Sequence, residues 1–270
     1  MKYIRGFFMA WGYFCRIPCP YRKWNPEGRY AMLNMFPFTG LLIGVTVCIA
    51  WMFLSSISAA GLLTGVLLTA FYFWLTGFIH LDGFMDCSDA ALSGRTADEK
   101  KRILKDSHVG AFAVISLAFM LMIFTASMTV TAQNFSLECA VLLCLIFMIS
   151  RETAGLNVIN KAPMNTSQYS DLMSEKSRKR GIPGAVFVAA AAVLMTVWVC
   201  GMSRFPLRII AVYACTLLIQ TAAASYTGYR MRKEFGGMSG DISGCMIVTG
   251  EMTGVLIMAF LSAKVFCAGV

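Results

Sequence analysis

The chain is a succession of long apolar runs, and that succession leaves little choice of architecture. Runs at about Leu33–Ser55, Ala59–Leu81, Gly110–Thr131, Leu137–Ile159, Ala185–Met202, Leu207–Tyr229 and Gly244–Phe266 carry few charges. Each is close to the roughly 20 residues that a helix needs to cross a hydrocarbon layer. Inside a bilayer every peptide N–H and C=O must be satisfied by the protein, which leaves helices or a closed barrel. Runs of this length and continuity predict helices. The reading is an all-α, polytopic membrane bundle of about seven spans, forming a single membrane-embedded domain over residues 1–270. Composition agrees: 58% of the 270 residues are hydrophobic and 14% are charged, where soluble domains carry about 25% charge.

The segments between the runs set the orientation. The formal net charge is +9, but the basic residues are dispersed between apolar runs and form no single patch. Nucleic acid is therefore not an expected partner; the lipid bilayer is. With the N-terminus inside, only Arg204, Arg208 and Lys264 of the twenty-three Lys and Arg residues fall outward, so the positive-inside rule gives N-inside and C-outside. The segments 82–108, 161–183 and 230–243 then share the cytoplasmic face of the membrane. Residues Tyr3–Phe14 are too few to span and read as an interfacial or re-entrant helix. Pro37 falls near the start of the first run, where a helix tolerates it. No cleavable signal peptide is evident, and there is neither an internal repeat nor a low-complexity segment. The ten Cys form no CxxC pair and lie mostly inside apolar runs, as buried small hydrophobes do. The sequence is compatible with a homo-oligomer and does not set its order.

The chemistry gathers at one stretch, His80-Leu81-Asp82-Gly83-Phe84-Met85-Asp86-Cys87-Ser88-Asp89. Read as an outward continuation of the second span, it sets Asp82, Asp86 and Asp89 at i, i+4 and i+7, on one helical face. Three anions on one face repel, and a divalent cation turns that cost into a binding site. Magnesium, which prefers oxygen ligands and commonly shares them with substrate phosphates, is the expected cofactor. The plainer reading is a solvated acidic helix start, which is at odds with acids that follow a helix. Asp106, just before the third span, is placed to approach Asp82, and Arg102 and Lys105 to neutralise phosphate oxygens. The turn Gly236-Gly237-Met238-Ser239-Gly240-Asp241 offers close backbone approach at Gly236, Gly237 and Gly240 and a further carboxylate. Arg151, Glu152 and Glu251 lie inside apolar runs, where they are either functional or paired with one another. His80 is either a proton acceptor or an ordinary interfacial residue.

Several blocks, in order and spacing, resemble the cobalamin synthase family, the adenosylcobinamide-GDP ribazoletransferases. They are Phe36-Pro37-Phe38-Thr39-Gly40, His80-Leu81-Asp82-Gly83 with Asp86 and Asp89, Lys105-Asp106-Ser107 through Gly110, and Gly236-Gly237 through Gly240-Asp241. Phe14-Cys15-Arg16-Ile17-Pro18-Cys19-Pro20 is similar to that family's opening block. The chain departs from the pattern at His108, where the family often has Arg, and at Thr249, where it commonly has an acid. The resemblance implies a membrane enzyme late in coenzyme B12 assembly, joining adenosylcobinamide-GDP to α-ribazole or its 5′-phosphate and releasing GMP with magnesium present. On that basis Asp82, Asp86, Asp89 and Asp106 are the expected metal ligands. Arg102, Lys105, Arg151 and the three turn glycines are the expected substrate contacts. The ribazole 5′-hydroxyl is the expected nucleophile, its proton going to Asp241, Asp106 or His80. Two other classes remain: a different membrane transferase acting on diphosphates (a CDP-alcohol phosphotransferase or a UbiA-type prenyltransferase), and a cation or metabolite transporter.

Overall fold

The computed structural model describes residues 1–21, 23–57, 61–134, 136–164 and 182–265, without the side chains of residues 26, 182–183 and 262–265. Ten α-helices account for nearly all of it. They are α1 Lys2–Phe14, α2 Arg29–Ser56, α3 Gly61–Leu75, α4 Ile79–Leu92, α5 Ala97–Ile103, α6 Ala111–Gln133, α7 Leu137–Asn160, α8 Ile182–Met202, α9 Pro206–Phe235 and α10 Gly240–Val265. Among the described residues the extended structure amounts to one isolated bridge, Pro163 to Met238. Six helices are long and apolar enough to cross a membrane, and the pair α3–α4 makes a seventh if taken as one broken span. Most of the expected Lys161–Pro183 loop, including Arg178 to Gly181, lies outside the described residues.

The second run does not continue outward as expected. It ends at Leu75, and α4 departs at 93° to α3. Gly77 and Phe78 make the corner with left-handed backbone, φ +63° and +62°. Gly77 takes that conformation without penalty; Phe78 is a bulky side chain in a region such residues avoid. We therefore read α3 as the crossing segment and α4 as lying outside it. Trp51 donates to the Ala132 carbonyl (3.2 Å), and Gly61 packs against Gln133. The end of α2, the start of α3 and the end of α6 thus share one side. The start of α6 meets α4 on the other side.

Two further expectations change. α2 begins at Arg29, so Pro37 sits in the helix interior and not near its start; membrane helices tolerate such prolines because neighbours re-satisfy the freed carbonyl. α1 packs on α2, where Gly6 meets the Ala31 backbone so closely that a Cβ would lie 2.5 Å from its carbonyl oxygen. Along α2, Gly40 and Gly44 bring the backbone against Phe147 and Cys144 of α7. This small-xxx-small spacing lets helices approach where no hydrophobic effect drives them together.

The core contains a charge pair. Arg151 of α7 and Glu251 of α10 are 0% and 1% exposed, and Arg151 Nη1 lies 2.5 Å from Glu251 Oε1. Arg151 also donates to the Phe147 carbonyl (2.8 Å), Ser150 Oγ donates to Glu251 Oε1 (2.7 Å), and the Tyr72 hydroxyl of α3 donates to Glu251 Oε2. Three helices therefore meet on one carboxylate. Arg151→Met, which strands that carboxylate, is expected to cost about 3–5 kcal/mol in thermal or denaturant unfolding, and Arg151→Met with Glu251→Met distinctly less. A double variant no more stable than the single one would rule out the pair as the source of the loss.

Candidate functional site

The acidic helix is held in place by contact between backbones. Gly83 of α4 faces α10, where a Cβ would lie 2.8 Å from both Cα and O of Asp241. One turn along, Gly244 of α10 faces α4, where a Cβ would lie 2.9 Å from the His80 carbonyl oxygen. A pair of glycines, one on each helix, removes the side chains that would hold α4 and α10 apart. Asp241 is thereby brought beside the acids of α4. Its own helix is capped locally: Ser239 Oγ accepts from the Ile242 amide (3.3 Å) and donates to Asp241 Oδ2 (3.4 Å).

α4 carries Asp82, Asp86 and Asp89 on one helix, as the spacing predicts, but Asp82 stands in its first turn. The acids do begin a helix, so the dipole favours them there. Mutual repulsion persists nonetheless. The Asp86 carboxyl is pushed up to about 6, first by burial and then by the charges of Asp82, Asp241 and Asp89. Asp82 is exposed, while Asp86, Asp89 and Asp241 are half-buried. Asp89 has a second tie: Oδ1 accepts from the Ala113 amide (3.4 Å) at the start of α6, where Gly110 leaves it room. Among the described residues, no three His, Cys, Asp or Glu side chains are gathered closely enough to enclose a metal ion by themselves. The donor set nonetheless suits a hard cation, since it consists of carboxylate oxygens short of positive charge.

Other expected members lie elsewhere. His80 is two residues from Asp82, about 200° around the helix, and faces the interior. It is 5% exposed, stacked on Phe14 (5.7 Å between ring centres) and edge-on to Phe36 (5.8 Å). Desolvation, then the charge of Arg151, hold its pKa well below the usual histidine value. A buried, neutral imidazole behind the acids is a poor proton acceptor for a ligand in front of them. Asp106 does not join Asp82. It is exposed and bonded to the His108 amide (3.0 Å) and to His108 Nδ1 (2.7 Å), which lower its pKa. Arg151 lies in the core, 0% exposed and paired with Glu251. Arg102 and Lys105 are exposed at the end of α5 and just past it, with no salt bridge among the described residues.

The glycine turn has backbone work of its own. Gly236 ends α9 in left-handed backbone at φ +81°, and its amide bonds the Arg232 carbonyl. Gly237 packs against residues 163–164, and the Met238 amide bonds the Ala162 carbonyl (2.7 Å). The Gly236 and Met238 amides are thus engaged within the fold and are not open to a phosphate. Tyr72, Ser150 and Ser239 were not singled out from sequence. Only Ser239 carries a signal there, a Ser ahead of an apolar run.

A model of the cobalamin-5-phosphate synthase family matches residues 6–259. Relatives named adenosylcobinamide-GDP ribazoletransferase include one from Clostridium perfringens (strain SM101 / Type A), 30% identical over 96% of this chain and 99% of the relative. One from Clostridium botulinum (strain Alaska E43 / Type E3) is 33% identical over 93% and 96%. One from Halalkalibacterium halodurans is 27% identical over 96% and 97%. No solved structure matches the chain.

The raised carboxyl of Asp86 gives a direct test of the cluster. Between the ordinary carboxylate value of 3.8 and about 6, the folded chain holds a proton at Asp86 that the unfolded chain has released. Stability is therefore expected to rise as pH falls from 7 through 6 toward 4. Asp86→Asn should be at least as stable at pH 7 and should flatten that slope. Thermal unfolding across this range decides it: an unchanged slope in the variant would show that Asp86 does not carry the effect.

Proposed function

The chain belongs to the cobalamin-5-phosphate synthase family, and from that premise we propose that it joins adenosylcobinamide-GDP to α-ribazole or its 5′-phosphate, with release of GMP. The observation that carries the reading is the convergence of four carboxylates, Asp82, Asp86, Asp89 and Asp241, from two helices in backbone contact. Such a cluster suits a cation shared with a diphosphate. Asp82 and Asp86 would hold magnesium, with Asp89 beside them. When bound, it would polarise the diphosphate and offset charge growing on the departing GMP oxygen.

The protein's own contribution is placement and proton removal. A ribazole hydroxyl oxygen attacks the phosphorus next to the cobinamide, the new P–O bond forms, and the bond to the bridging oxygen of GMP breaks. GMP leaves with that electron pair, and the hydroxyl proton passes to a base. Asp241 is our assignment for the base, because His80 is buried and Asp106 is tied to His108. The nucleophile differs from the 5′-hydroxyl expected from sequence. In a ribazole 5′-phosphate that oxygen is already esterified, as the family's product name cobalamin-5-phosphate also implies. A ring hydroxyl of the ribose is then the group that attacks.

Full-length protein in liposomes, given adenosylcobinamide-GDP, ribazole 5′-phosphate and magnesium, is expected to release GMP and to stop when magnesium is chelated. Asp241→Asn should bind the diphosphate substrate nearly as the parent does, yet turn over about 100-fold or more slowly. Normal turnover with weakened substrate affinity would make Asp241 a peripheral contact. We further propose that the acidic face lies on the cytoplasmic side of the cell membrane. A reporter after Ser93 should then read cytoplasm and one after Gln133 the outside; the reverse pattern would refute that orientation.

A further inference from the structure

The acidic face opens on one side to a cavity whose far wall is the chain that leaves α1. The Arg16 amide bonds the Leu75 carbonyl (2.7 Å), pinning this segment to the end of α3. Its guanidinium lies over the Phe78 ring, 5.9 Å from the ring centre. Gly77 presents no side chain toward it, and a Cβ there would stand 3.6 Å from Arg16 Cγ. Phe78 is the one non-glycine residue with positive φ among the described residues, and strain of this kind gathers where a site fixes the backbone. Arg16, the corner Thr76–Ile79 and Asp82 line a cavity of about 500 Å³. Arg16 is exposed and has no salt bridge among the described residues.

A second cavity of about 250 Å³ adjoins the first, sharing Gly12 and Tyr13 in its lining, and adds Lys23 and Trp24. The Tyr13 and Trp24 rings are 5.9 Å apart and inclined at 37°, and the two residues are 44% and 49% exposed. Asp82 and Arg16 thus line the first cavity, Trp24 and Lys23 the second, and Tyr13 both. A nucleotide presents the complementary groups, a metal-bound phosphate and a ribose bearing a planar base. Arg meets phosphate oxygens with a two-pronged donor set, and aromatic faces accept any base by stacking.

Resting on the function proposed above, we propose that Tyr13–Trp24 forms a nucleotide subsite. Arg16 binds phosphate oxygens at the Asp82 edge, and Tyr13 with Trp24 takes the base. Two sources supply that chemistry, the guanosine end of the diphosphate substrate and the ribazole. α1 then holds a wall of the site, in addition to lying against the bundle.

The test uses the full chain in liposomes, with GDP plus magnesium and ribazole 5′-phosphate as separate probes, read by calorimetry. Arg16→Gln is expected to weaken one of the two probes by about tenfold or more, with Arg16→Lys recovering part of the loss. The probe that responds identifies the source. Trp24→Leu should weaken the same probe, and the unfolding temperature of each variant should match the parent. Binding of both probes by Arg16→Gln within about twofold of the parent overturns the proposal, as does failure of the parent to bind either. Loss in Arg16→Gln but not in Trp24→Leu overturns the aromatic half and leaves the phosphate half standing. A parent that binds GDP but releases no GMP would sink the assigned reaction without touching this subsite.

Discussion

Hydrocarbon offers no hydrogen bonds, and that constraint selects helices for the crossing segments. The crossing segments are helical, and the sharp corner Thr76–Phe78 lies beside a cavity. Non-helical backbone at membrane depth is tolerated only where protein or water can satisfy it. The same rule governs charge. Glu251 accepts from Arg151, Ser150 and Tyr72, so that buried carboxylate is met by donors from two neighbouring helices; among the described residues, Glu152 Oε1 and Arg151 Nε and Nη2 are buried with no hydrogen-bond partner. The transporter reading expected intramembrane charges to mark a pathway; here Arg151 and Glu251 are engaged with each other.

Outside the crossing segments the logic reverses. Where water reaches, the chain gathers like charges and tolerates their repulsion. α4 and α10 touch through Gly83 and Gly244, so little freedom separates Asp241 from the acids of α4. Burial, then the charges of Asp82, Asp241 and Asp89, push the Asp86 carboxyl up to about 6. A bound cation would relieve what packing alone leaves unfavourable. The surrounding parts are attached more lightly: α5 is tied to α9 by Lys100 with Glu234 (2.9 Å), and the Asp106 carboxylate bonds His108, two residues along.

Most of the fold was legible in the sequence because hydropathy over about 20 residues is a direct image of the bilayer. The helices match the predicted runs to within a few residues, except where polar residues extend a helix beyond the apolar stretch. α9 runs on to Phe235 and α2 starts at Arg29. The corner at Gly77 was missed for a related reason: the run Ala59–Leu81 holds Gly61 and Gly65 as well, both of which α3 takes within its helix, so a glycine there does not by itself mark a bend. The acidic residues of the site were found from their spacing, since three carboxylates on one helical face need an explanation. Their neighbours were harder to place. Which acid meets which depends on two glycines that bring α4 and α10 together, and nothing local marks Gly83 or Gly244 as contacts. His80 shared the acidic stretch by position but not by face. Arg151 carried the right charge for a phosphate and was claimed by Glu251, a hundred residues along the chain.

That separation has a consequence for how the protein is made. Arg151 and Glu251 are 100 residues apart, and synthesis proceeds at roughly 5–20 residues per second. α7 therefore enters the membrane on the order of 5–20 s before its counter-ion exists. During that interval the guanidinium has only the Phe147 carbonyl and Ser150 of its own helix, and the remaining cost of insertion falls on the hydrophobicity of α7. The apolar run Val141–Met148 that precedes Arg151 then works before the bundle exists, carrying a charge through the translocon until the last helix arrives. Ribosomal pausing between α7 and α10 would lengthen that exposure, so biogenesis places its own demand on this buried pair.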